Sequence, residues 1–78
     1  MSRSAIRRMK PGLPESQVVA LLGPPDEVLQ RGPGRNFPGP RTYSYYLGSW
    51  STYGLDDAFL WIHLDNANRV ISAEVDGY

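Results

Sequence analysis

The sequence predicts an α+β fold, with two short N-terminal helices packed on one face of a three-stranded antiparallel sheet. Three observations predict it. Helix-spaced apolar residues occur only in the first third of the chain. Three later segments, 41–47, 58–64 and 70–76, have the β-branched and aromatic composition of strands. Breaks rich in Gly, Pro, Asn and Asp separate these elements, and helices followed by consecutive strands read as α+β.

The first helix is expected over residues 4–9. Ser4 is a suitable N-cap, and Ile6 and Met9 share a face at i, i+3. Lys10 precedes Pro11, which disfavours the α conformation, and Gly12 lets the chain turn. The second helix is expected over residues 14–22. Pro14 fits the first turn, where its missing N–H costs nothing, and Glu15 suits the positive end of the helix dipole. Val18, Leu21 and Leu22 form an i, i+3, i+4 stripe with Val19 beside it. Gly23 is placed to end the helix with positive φ, and Pro24-Pro25 cannot continue it. Two turns are unstable alone in water, so this helix must be held by packing.

Residues 26–30 can be extended, but their pairing is not specified by the pattern. The segment "RGPGRNFPGP" (31–40) is expected to lack regular structure and to be mobile. Between the last two strands, Asp65-Asn66-Ala67-Asn68-Arg69 predicts a tight hairpin, since Asn68 tolerates positive φ. Alternation gives each strand two faces. Leu60, Ile62 and Leu64, with Ile71, Ala73 and Val75, are expected to face the helices. Phe59, Trp61 and His63 then point the other way, among Glu74 and Asp76.

With 78 residues the chain is read as a single domain, 1–78, of thin stability margin. It has no cysteine, which excludes disulfides, thiolate metal sites and thiol nucleophiles. Eight Lys and Arg balance eight Asp and Glu. That balance argues against a phosphate-backbone binder, so no nucleic-acid partner is expected. No apolar run approaches a membrane span, and no apolar stretch follows the basic start as in a secretory signal. As written, the chain is expected to be cytoplasmic. Removal of a signal segment would instead place it in the periplasm or at the outer membrane.

The stretch "MKPGLPESQVVALLGPPDE", then "YSYYL", then "LWIHLDNANRV", resembles the SmpA/OmlA-like domain family. Gly12, Val18, Leu21, Leu22, Gly23 and Pro25 match its turn and short helix ending in Leu-Leu-Gly-x-Pro. Tyr43 and Tyr45 match its aromatic-x-Tyr strand, and Leu64, Asp65 and Val70 its hairpin. The resemblance implies the same helix-helix-three-strand layout and a scaffolding role in cell-envelope or outer-membrane assembly. The chain departs from the family at Pro14, where Thr or Ser is usual, and at Asn68, where Gly is usual. As written, it is also expected to carry neither the signal peptide nor the lipid-bearing Cys of most members.

Two functional readings stay open. The first is a non-catalytic interaction or scaffolding module. Tyr46, Trp50, Tyr53, Phe59, Trp61 and His63 would form its interaction face, towards a protein partner or a second copy in a homodimer. Tyr and Trp are enriched in binding hot spots, although the 48–57 loop can also fold back and bury the same rings as a second small core. The second reading is an enzyme or small-ligand binder using His63 with the Asp56/Asp57 loop. Asp56-Asp57 lacks the spacing of a calcium loop, and His63 has no nucleophile and orienting group in a recognisable motif. No catalytic residue, metal ligand or cofactor is therefore assigned, and the first reading is preferred.

Overall fold

A computed structural model describes residues 3–49 and 57–77. Helix α1 spans Arg3–Arg7 and helix α2 spans Glu15–Leu22. Four strands follow: β1 (Glu27–Gln30), β2 (Arg41–Ser49), β3 (Asp57–Leu64) and β4 (Val70–Gly77). They form one sheet in the order β1-β2-β3-β4, antiparallel throughout. The fold is thus α+β with two short helices, as expected, but the sheet has four strands and not three. Residues 26–30 carry no clear alternation of their own. Pairing with β2 makes them a strand, Val28 lying opposite Tyr43 and Leu29 opposite Thr42. Asp26 fastens its start: its N–H donates to the Ser44 carbonyl at 2.9 Å, and its Oδ2 accepts from the Tyr46 N–H at 2.6 Å.

Helix α2 has no side-chain cap at Pro14. The hairpin supplies the missing acceptor, because the Glu15 N–H donates to the Asn68 carbonyl at 2.8 Å. Two tyrosines of β2 then hold the helix at both ends. The Tyr43 hydroxyl donates to Glu15 Oε1 at 3.0 Å, and the Tyr45 hydroxyl donates to the Gly23 carbonyl at 2.9 Å. Their alternation on one strand places both rings over the helix, two residues apart along β2. Burial raises the pKa of both phenols, Tyr45 being pushed up to about 12, with Tyr43, Asp26 and Glu15 adding to the shift. For Tyr43 the bond to Glu15 is the next cause after burial.

The core lies between this sheet face and the helices. It contains Met9, Val18, Tyr43, Tyr45, Leu60, Ile62, Leu64 and Val70, with Ile6, Leu21, Leu22 and Ala73 packed around them. One expectation is corrected here. Val70 is buried, whereas Ile71 is half-buried and Val75 is exposed. The register shifts between His63 and Leu64, so Leu64 pairs with Val70 while His63 pairs with Ser72. This bulge adds one residue to β4, and the residue next to the hairpin takes the core position. The hairpin itself forms as expected. Asn68 has φ 59°, and Asp65 Oδ1 accepts from the N–H groups of Ala67 (2.8 Å) and Arg69 (3.0 Å). Among the described residues, no helix is long and apolar enough to cross a membrane.

Candidate functional site

The second sheet face is set out in cross-strand rows by register. Tyr46 pairs with Phe59. Glu27, Ser44, Trp61 and Glu74 form the next row. Leu29, Thr42, His63 and Ser72 form the row nearest the hairpin. The two ends of this face differ in character.

The Tyr46 end is open. Tyr46 is 51% exposed and Phe59 38%, and their rings lie 5.4 Å apart at a tilt of 53°. Such cross-strand aromatic pairs contribute about 0.2–1 kcal/mol to the sheet while leaving much of each ring in water. Trp50 and Tyr53, which the sequence reading adds to this patch, lie outside the described residues, as does Asp56.

The His63 end is closed. His63 was expected on an interaction surface, but it is 2% exposed. Its Nε2 lies 2.7 Å from Glu74 Oε1 and its Nδ1 lies 2.7 Å from Thr42 Oγ1. With Nε2–H donating to the carboxylate, Nδ1 accepts the Thr42 hydroxyl proton, and both ring nitrogens are satisfied. Thr42 is fully buried, while the Glu74 side chain is 58% exposed. Over this network sits Phe37, from the 31–40 loop. Its ring centroid is 5.7 Å from Trp61, edge-on at 77°, and 5.6 Å from His63, tilted by 34°. Aromatic pairs of this kind add about 0.5–1.5 kcal/mol beyond the area they bury. Phe37 was not among the predicted site residues. A lone aromatic in a Gly/Pro-rich loop was the signal that would have found it.

The sequence of hydroxyl, imidazole and carboxylate is the order used in acyl transfer. Here Thr42 is buried, Phe37 packs on the imidazole, and both ring nitrogens of His63 have partners. Of the alternative pairing of His63 with the Asp56/Asp57 loop, Asp56 lies outside the described residues; the Asp57 backbone opens β3, with His63 six residues along it, about 20 Å away in an extended strand. Among the described residues, no three His, Asp or Glu side chains gather where a metal ion would sit.

Fold and site together define a class: a small α+β domain whose sheet carries a helix-packed core on one face and a half-covered aromatic surface on the other. Comparison with protein-family models, curated proteins and solved structures finds no match for the chain.

Proposed function

We propose that this protein is a non-catalytic interaction or scaffolding module, which binds a protein partner or a second copy of itself through the open end of its aromatic sheet face. The observation that carries the reading is the Tyr46–Phe59 pair, two large rings side by side and both exposed, with half-buried Trp61 next along β3. Contiguous exposed apolar surface on a small domain generally marks an interaction site. Its aromatic character is that of binding hot spots. The resemblance of residues 9–27, 43–47 and 60–70 to SmpA/OmlA-like domains supports the same class of role, as a scaffolding part of a cell-envelope assembly.

Sedimentation velocity across a concentration series tests the self-association form. Phe59→Ala should weaken association about 30-fold, the equivalent of a 2 kcal/mol hot spot, with little change in melting temperature. If wild type and variant are both monomeric at millimolar concentration, and the variant melts far below wild type, Phe59 serves the fold and the reading fails.

A further inference from the structure

We propose that residues 31–40 form a displaceable strap, closed in this structure, whose Phe37 ring covers one half of the aromatic face and so regulates how much of it is open. The inference rests on that face being an interaction surface.

The strap is fixed at its ends. The Arg31 N–H donates to the Pro40 carbonyl at 3.2 Å, closing the base of the loop. At Gly39 the backbone lies so close to the hairpin that a Cβ would overlap the Leu64 carbonyl oxygen and the Ile71 side chain. Between these anchors the chain is bonded only to itself. Gly32 and Arg35 exchange hydrogen bonds at 2.8 and 3.3 Å, and among the described residues no hydrogen bond joins residues 32–39 to the sheet. The middle of the strap meets the sheet through the Phe37 ring on Trp61 and His63.

The layer beneath is already complete. Thr42 and Glu74 satisfy both nitrogens of His63 whether Phe37 is present or not. Lifting Phe37 therefore breaks no hydrogen bond and strands no buried polar atom. Its cost is the exposure of apolar surface alone, which is what a segment with a low local opening free energy requires. Trp61 and His63 alternate along β3 with Phe59 at successive same-face positions. An open strap thus extends the aromatic surface from the Tyr46–Phe59 row toward the hairpin.

The chain has two phenylalanines, Phe37 and Phe59. Labelling with 4-fluorophenylalanine therefore gives two fluorine signals. Relaxation dispersion should show the Phe37 signal exchanging with a minor open state, within the range of about 0.1–10% that such states populate. Phe37→Ala should lower the amide protection of Leu60 and Ile62 by no more than the closed-to-open ratio that the dispersion measures, since the strap opens without the core. The same variant should self-associate at least about a hundredfold more tightly, because two covers, each open at most about a tenth of the time, no longer have to be displaced. A Phe37 signal without exchange overturns the strap, and so does collapse of core protection in Phe37→Ala. Exchange at Phe37 combined with a variant that stays monomeric leaves the strap standing and overturns self-association through this face.

Discussion

Tyr45→Phe isolates one hydrogen bond and one titration. The side chain is 2% exposed, and its hydroxyl donates to the Gly23 carbonyl that ends α2. At pH 8 the variant loses a neutral hydrogen bond, a net cost of about 0.5–1.5 kcal/mol. In a domain of this size 1 kcal/mol lowers Tm by roughly 4–8 °C. At alkaline pH the sign turns. The unfolded phenol titrates near pH 10, whereas burial first, and then the neighbouring Tyr43, Asp26 and Glu15, push the folded one up to about 12. The folded state therefore binds more protons between these values, and its stability falls as pH rises through that window. At pH 11 the loss from Tyr45 is on the order of 1 kcal/mol, and by pH 12 on the order of 2 kcal/mol. Tyr45→Phe has no such titration. The two stability curves should therefore converge above pH 10 and cross near pH 11. Urea midpoints of both proteins at pH 8, 10 and 11.5 measure this. Parallel curves over the whole range would show that the Tyr45 hydroxyl is as free to ionise in the folded chain as in the unfolded one.

The remaining substitutions separate the two halves of the second face and test the strap's anchor. Trp61→Ala should cost roughly 2 kcal/mol of stability, through loss of the Phe37 seat, as well as any association. Phe59→Ala should cost under 1 kcal/mol, mainly its cross-strand contact with Tyr46, so denaturation midpoints that rank the two the other way would contradict the assignment of a closed and an open end. Gly39→Ala forces the Leu64 carbonyl or the loop to move and should destabilise by about 1–3 kcal/mol, as overpacking does. A melt unchanged by that alanine would mean that the loop base is not held against the hairpin.

The helices, three of the strands and the hairpin were legible because each carries a local signal. Pro14 and Gly23 bracket α2, alternation marks β3, and Asn68 marks the turn. The fourth strand was not legible, because β1 has four residues, of which only Leu29 is even half-buried. It is a strand by virtue of the β2 edge and Asp26, which are tertiary facts. The exchange of Ile71 for Val70 in the core was hidden for a similar reason. A bulge moves the register by one residue, and composition is blind to it because both residues are aliphatic. Of the candidate site, alternation correctly placed Phe59, Trp61 and His63 on the face away from the helices. It gave no warning that a loop would return over His63. The loop's Gly and Pro content argued for mobility, yet those residues also allow the close approach at Gly39 that brings Phe37 onto the sheet.

The same network explains why a domain with so little core places a histidine near the hairpin end of an inner strand. Thr42, His63 and Glu74 come from three adjacent strands, and their bonds form only in the observed register. A one-residue slip of β3 would turn His63 into the aliphatic core with both nitrogens unpaired, and would bring Leu60 and Ile62 out to the second face. An apolar trio could be equally stable but would not penalise that slip. We therefore expect the double variant Thr42→Val/His63→Leu to stay within about 1 kcal/mol of wild type, since both partners of the buried bond are replaced together and exposed Glu74 returns to water. What it should lose is uniqueness, seen as extra amide signals for residues of β2 and β4 and a less cooperative melt. A single sharp set of signals with an unchanged transition would show that the bulge and hairpin fix the register unaided. A large loss of stability would show instead that the network contributes energy and not only specificity.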